Sequence, residues 1–263
     1  MASLVMGVLN VTPDSFSDGG RFFSVDGAVA QGRRLAVAGA GIVDVGGEST
    51  RPGAEPVEVA EELRRVLPVV SALAAEGIRV SIDTRHAEVA EAAVAAGATI
   101  VNDVSAGDDL MAVAAAGGAG YVAMHAQGQP ATMQHDPRYD DVVAEVHGFL
   151  AAAAERARRA GCRHVWVDPG IGFGKTLEHN VTLLAALPEL VGAGIPVVVG
   201  ASRKGFLAAL TGGALTGGAA PLDRLEASVA VATWAFSCGV AVVRAHDVAE
   251  NVQALHLVAL EAA

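Results

Sequence analysis

Asp83, Asn102 and Asp168 each follow directly on an apolar, β-branched run, a place where a polar side chain does nothing for folding. A carboxylate there is costly unless a donor reaches it. Two carboxylates and an amide match a ligand with adjacent N–H donors, such as the amide and amino edge of a pterin or a purine. The same residue types also cap helices, and Asp83 before Thr84 or Asp103 before Ser105 could do that instead. Ser202-Arg203-Lys204 sets two cations at another tip, suited to an anion or to a carbonyl that must be polarised. A Schiff base on Lys204 is the other chemistry open to that segment. Arg244 and His246 occupy alternate positions of an extended tip, so both can meet one phosphate, unless His246 simply bonds Asp247.

The stretch Asp168-Pro-Gly-Ile-Gly-Phe-Gly-Lys-Thr176 is rich in glycine but lacks the four residues between Gly and Gly-Lys that define a P-loop. Its glycines let backbone approach a flat ligand, with Phe173 as an aromatic wall or, on the plainer reading, as ordinary core. His86, His135, His147, His164, His179 and His256 show no metal-ligand spacing and read as surface or helix-end residues.

These residues must be held by something, and the pattern around them says what. Apolar segments run from Leu4–Leu9 into Asn10, Gly41–Val43 into Asp44, Ile78–Ile82 into Asp83 and Ala98–Val101 into Asn102. Four more run from Gly120–Met124 into His125, His164–Val167 into Asp168, Ile195–Val199 into Ser202–Lys204 and Val240–Val243 into Arg244. Helical spacing fills the intervals at Val25–Ala38, Pro56–Ala75, Ala87–Ala96, Asp109–Ala116, Tyr139–Ala160, Leu177–Val191, Asp223–Ser237 and Val248–Leu260. Gly39, Gly77, Gly97, Gly161 and Gly192 or Gly194 stand where left-handed helix caps are wanted. Eight strand-plus-helix units predict an α/β fold, a (β/α)₈ TIM barrel, with its active site at the carboxyl ends of the strands.

Nothing divides the 263 residues, so residues 1–263 read as a single barrel domain. A hydrophobic content of 52% with 4% aromatics predicts a large core of small aliphatic side chains. A net charge of −11 without basic runs argues against nucleic acid or an anionic membrane as partner, and any bound anion must meet a local cluster of cations. The two cysteines, Cys162 and Cys238, lie far apart and read as buried small hydrophobes in a reducing compartment. Met1–Leu9 leads straight into polar residues, so no export signal is expected and the location expected is cytoplasmic. Ala227–Val243 is charge-free but contains Thr233, Ser237 and Gly239, and reads as helix, Gly stop and strand rather than a membrane span. Val11–Ser24 and Gly46–Ala54 exceed what short connections need and are expected to cover the site, while Thr211–Pro221 reads as a flexible insertion.

Several segments together form a longer pattern: Met6-Gly-Val-Leu-Asn-Val-Thr-Pro-Asp-Ser-Phe-Ser-Asp-Gly-Gly20, Asp44-Val-Gly-Gly-Glu-Ser-Thr-Arg-Pro-Gly-Ala54, Ser81-Ile-Asp-Thr84, Asn102-Asp-Val-Ser105, Asp168–Thr176, Ser202-Arg-Lys204 and Arg244-Ala-His-Asp247. On these the chain closely resembles the bacterial dihydropteroate synthases, from the first strand to the last. The resemblance implies a homodimeric TIM-barrel transferase of folate synthesis that condenses (7,8-dihydropterin-6-yl)methyl diphosphate with 4-aminobenzoate, with Mg²⁺ assistance, and is a sulfonamide target. It implies that Asp83, Asn102, Asp168 and Lys204 hold the pterin with Met124 against its face. It further implies that Asn10 contacts magnesium and that Arg244, His246 and Thr50 take the diphosphate. Phe16, Arg51 and Pro52 then form the aminobenzoate pocket beside Phe173. Asp83, Lys204, Arg244 and His246 are the residues expected to serve the reaction itself. The chain departs from the family pattern at Gly205, where many members carry a hydroxyl residue, and at Ala126, where Met is common. Other readings left open are a pterin-dependent methyltransferase, an aldolase using Lys204, and a pterin-binding paralogue without turnover.

Overall fold

The structure is a computed structural model that describes residues 3–12, 24–48, 57–128, 132–210 and 224–261. Phe16, Thr50, Arg51, Pro52 and the stretch 211–221 lie outside the described residues. Among the described residues eight strands follow one another: β1 Leu4–Asn10, β2 Ile42–Gly46, β3 Val80–Asp83, β4 Ile100–Asp103, β5 Gly120–Met124, β6 Val165–Asp168, β7 Val198–Val199 and β8 Val242–Ala245. The sheet order is β6-β5-β4-β3-β2-β1-β8-β7, every pair parallel. A parallel bridge from Val167 to Val197 joins the two ends of that order into a barrel. The expected (β/α)₈ architecture is therefore the observed one.

The described helices are α1 Val25–Val37, α2 Val59–Ala75, α3 Ala87–Ala95, α4 Asp108–Ala116, α5 Val142–Ala160, α6 Leu177–Ala185, α7 Leu187–Gly192, α8 Gly205–Leu210, α9 Leu225–Ser237 and α10 Val248–Glu261. Their boundaries follow from local chemistry. Asp141 accepts from Val143 N and Ala144 N, each at 3.0 Å, and starts α5 three residues later than expected. The predicted helix over Leu177–Val191 is two, broken at Ala186, because Pro188 brings no N–H to continue α6 and instead suits the first turn of α7. Gly39, Gly77, Gly97, Gly161 and Gly194 all take the positive φ expected of them.

Two apolar compartments result. The larger lies between the barrel's outer face and the helices. The smaller plugs the barrel from inside and contains Met6, Ile42, Ile100, Val122, Trp166, Val198 and Val242. Cys162 is buried as expected, while Cys238 is partly exposed at the end of α9, and both are free thiols. No helix among the described residues is long and apolar enough to cross a membrane, and Ala227–Val243 divides into helix, turn and strand.

Candidate functional site

Side chains along a strand alternate between faces, so two residues beyond each plug residue the chain again points into the barrel, one layer nearer the carboxyl mouth. The positions so reached are Asp44 after Ile42, Asn102 after Ile100, Met124 after Val122, Asp168 after Trp166 and Arg244 after Val242. Asn10 pairs in register with Gly46, Gly46 with Asp83, and Asp83 with Asn102, which adds Asn10 and Asp83 to the same rim. Asn10, Asp83, Asn102, Met124, Asp168 and Arg244, six of the sequence-predicted residues, thus converge on one mouth. One step of phase sends Asp103 outward instead, where it accepts from Ser105 N, Ser105 Oγ, Gly107 N and Tyr121 Oη and organises the next connection. The capping role lies with Asp103, and Asp83 takes none of it.

Arg244 sits at the centre of one wall. Its Nε donates to Asp44 Oδ2 and its Nη2 to Asp83 Oδ2, both at 2.6 Å, while Asn102 Nδ2 donates to the same Asp44 oxygen at 3.1 Å. Asp44 is fully buried, and Asp44 Oδ1 and Asp83 Oδ1 have no partner. Burial pushes the Asp83 carboxyl up to about 7; Arg244 works against this, and the Asp44 charge adds to it. For Arg244, burial opposes the charge, but Asp44 and Asp83 override it and hold the guanidinium above its ordinary value. The apolar pattern predicts a second strand over Gly41–Val43 with Asp44 as its tip. The strand instead runs to Gly46, so Asp44 is an interior residue that anchors two others, a role the sequence reading missed.

Across the mouth, Asp168 Oδ1 accepts from Gly170 N at 2.7 Å. Burial raises the Asp168 pKa, and Lys204 followed by the Gly170 amide pulls the other way. Lys204 Nζ donates to the Ile171 carbonyl and lies 4.0 Å from the centroid of the half-buried Phe173 ring. Burial brings the Lys204 pKa down to about 7 against the favourable field of Asp168. The tip offers one cation, not two: Arg203 is in the left-handed region at φ 60° and is turned onto Asp247, with Nε to Oδ2 at 3.0 Å. Ser228 Oγ accepts from Arg203 N at 3.0 Å and Arg224 donates to its carbonyl at 2.9 Å, which over-determines that conformation. With Asp247 so engaged, His246 Nδ1 lies 3.1 Å from Ser202 Oγ instead.

The sequence reading also missed Lys175 and His125. Lys175 is 3% exposed, and its Nζ lies 3.0 Å from His125 Nδ1, 3.0 Å from Gly170 O and 3.0 Å from Phe173 O. Burial and then the Lys175 charge lower the His125 pKa to about 4, so the ring is neutral and accepts at Nδ1. Burial followed by repulsion from Lys204 lowers Lys175 to about 7. A signal was present: Lys175 and Lys204 are the chain's two lysines among 18 Lys and Arg, and both sit at strand-following tips.

Among the described residues two groups could take a cation. Asn10 presents a half-buried amide at the end of β1. Glu48, Glu62 and His86 come from three segments, so no sequence spacing reveals them, yet their ligand atoms lie within 4.8 Å of one another. In that second group Arg85 takes both Glu48 oxygens at 2.9 Å and His86 Nδ1 faces the buried Glu62 Oε2 at 2.7 Å. It is an ion-pair network beside Val57, whose N–H reaches Glu48 Oε1 at 3.2 Å. His86 is thus a helix-end residue at the N-cap position of α3, and its ring is directed to Glu62 of α2 rather than to the N–H groups of α3.

A family model described as "Pterin binding enzyme" matches residues 6–246. The dihydropteroate synthase of Mycobacterium leprae is 50% identical over 261 residues, covering 97% of this chain and 92% of that protein. Among solved structures, Yersinia pestis dihydropteroate synthase in a sulfonamide drug complex aligns with a TM-score of 0.91 at 43% identity, covering 100% of this chain and 95% of that one. Xanthomonas albilineans dihydropteroate synthase with 4-aminobenzoic acid aligns with a TM-score of 0.90 at 47% identity, covering 100% and 94%.

Proposed function

Because the chain belongs to the pterin binding enzyme family, alongside the dihydropteroate synthases, we propose that it transfers a pterinylmethyl group from a diphosphate ester to the amine of 4-aminobenzoate. The products are 7,8-dihydropteroate and diphosphate. The observation that carries the reading is the pair of carboxylates at one rim above an apolar plug, the buried Asp168 and the partly exposed Asp83, whose Oδ1 is unpartnered. A pterin edge brings N–H donors to both, Asn102 adds an amide, Lys204 donates to a ring acceptor, and Met124 packs on the flat face.

Arg244 and His246 are the groups at hand for the diphosphate. Neutralising the charge on the leaving group lowers the barrier to its departure, and positive charge then develops on the pterin methylene. The carboxylate of Asp83 lowers the energy of that cation, the lone pair of the neutral arylamine forms the new C–N bond, and the resulting arylammonium gives its extra proton to the departed diphosphate, so no protein nucleophile is needed. The donor set fits a magnesium ion carried on the diphosphate: one neutral amide, Asn10, on the same rung as Asp83, suits an ion whose remaining ligands are phosphate oxygens and water. Bound there, magnesium would supply charge neutralisation to the departing diphosphate.

The test is diphosphate release by purified protein with Mg²⁺ and the pterin diphosphate, run with and without 4-aminobenzoate. Amine-dependent release together with dihydropteroate supports the reading. Pterin binding without amine-dependent release would overturn it in favour of a binding protein without turnover.

A further inference from the structure

Three acceptors converge on Lys175 Nζ from two separate connections: Gly170 O and Phe173 O from the segment after β6, and His125 Nδ1 from the segment after β5. The His125 carbonyl follows at 3.4 Å. An ammonium has three hydrogens to give and no lone pair, so these acceptors match it one for one. Carbonyl dipoles pointed at a common centre repel unless a cation stands between them.

The two connections also touch backbone to backbone. A Cβ on Gly170 would lie 1.8 Å from His125 O, and one on Gly174 would lie 2.2 Å from Gln127 O, both at positive φ. Such an approach brings carbonyls together with no side chain between them. Asp168 is oriented by the Gly170 amide, and the Phe173 ring lies under Lys204. Every group that the segment after β6 gives to the mouth is therefore tied to a backbone point within one residue of this cage.

We propose that Lys175 is a positioning residue, an internal cation that locks the segment carrying Asp168 and Phe173 onto the segment after β5. It does not touch the pterin or the aminobenzoate. It fixes the wall that binds them, and its kinetic consequence rests on the pterin and aminobenzoate reading above.

The variants are Lys175→Met, of similar length without donors, and Lys175→Ala, which opens a cavity. In the ligand-free protein, hydrogen exchange over residues 170–174 and 125–128 should speed up by about tenfold or more in Lys175→Met while α3 is unchanged, since losing hydrogen bonds to a charged group frees local opening. In turnover, kcat/KM for both substrates should fall by roughly ten- to a hundredfold, the usual loss when a supporting residue behind a site is removed. Ethylammonium should restore part of the activity of Lys175→Ala in proportion to its protonated fraction, and propanol should not. Uniform exchange changes across the barrel, unchanged kcat/KM, or equal rescue by the alcohol would each overturn the proposal and leave Lys175 as packing. If Lys175→Met does not fold, Lys175→Gln keeps one amide donor and is read by the same local exchange and the same criteria. If the wild-type protein forms no dihydropteroate, the functional reading falls, while the exchange experiment still decides whether Lys175 locks the two segments.

Discussion

The shared guanidinium of Arg244 makes Asp44→Asn a sharp test of the site's electrostatics. The substitution is isosteric, keeps an oxygen for Arg244 and Asn102, and removes one of two negative charges held by a single cation. Both carboxylates lie 2.6 Å from nitrogens of the same planar fork. Their charges are then about 6 Å apart, and at an effective dielectric of about 20 they repel by about 3 kcal/mol. Water reaches the mouth, where the side chains of Arg244 and Asp83 are 21% and 11% exposed, so the part that survives screening is about half. That is about one pH unit in the titration of Asp83.

The sign follows from the role assigned to the group. Asp83 must be ionised to accept from the pterin and to face the developing cation. Activity is therefore lost as pH falls through its pKa, which burial and Asp44 raise to about 7. Removing the Asp44 charge lowers that pKa, so the acid limb of kcat/KM for the pterin diphosphate should move down by about one pH unit, with a lower plateau because Arg244 is held less firmly. Initial rates of diphosphate release across the neutral range measure this directly. An acid limb that stays in place, or moves to higher pH, would show that Asp44 and Asp83 do not share Arg244 in the working enzyme.

Gly170→Ala forces a Cβ to 1.8 Å from a backbone carbonyl at φ 64°, so urea unfolding should show a loss of at least about 2 kcal/mol, whereas Gly205→Ala, with nothing within 4 Å, should stay within about 0.5 kcal/mol. Asp168→Asn and Lys204→Ala should weaken pterin diphosphate binding by about tenfold or more, measured by calorimetry, at little cost in melting temperature; equal melting loss with unchanged binding contradicts their place in the site. Sulfonamides, which resemble aminobenzoate, should compete with it in steady-state inhibition, and an uncompetitive pattern would mean that the pocket beside Phe173 and Gly205 is built differently.

The barrel was legible because its signals are local and repeated. Gly161 marks the end of α5 in sequence and takes φ 105° in the structure for the same reason, that only glycine enters that region without a Cβ penalty. Asp83, Asn102 and Asp168 were legible because each is a polar residue at the phase where the apolar run ends. Asp44 was misplaced because Val45 and Gly46 after it are too brief to signal that the strand continues, and its importance depends on Arg244, 200 residues away. Likewise the break in Leu177–Val191 hinges on Pro188, which a helical apolar pattern tolerates on paper and the missing N–H does not.

The misses share a physical cause. Sequence periodicity reports which face a residue occupies, whereas Lys175, His125 and Asp44 matter through partners that only barrel closure brings near: 50 residues separate Lys175 from His125, and 58 separate Asn102 from Asp44. Composition carried part of this information. A chain that answers 29 acidic residues with 18 basic ones, nearly all Arg, has reserved its two Lys for places where a compact three-donor cation fits and a planar fork does not. Lys204 faces a carboxylate and an aromatic ring at the mouth, and Lys175 faces a cage of carbonyls behind it. Arg244 is the complementary case, since two carboxylates on neighbouring strands demand two parallel donors in one plane. The choice between Lys and Arg at these three positions is therefore set by the number and geometry of acceptors each cation must satisfy, and swapping Arg244→Lys should leave either Asp44 or Asp83 without its donor.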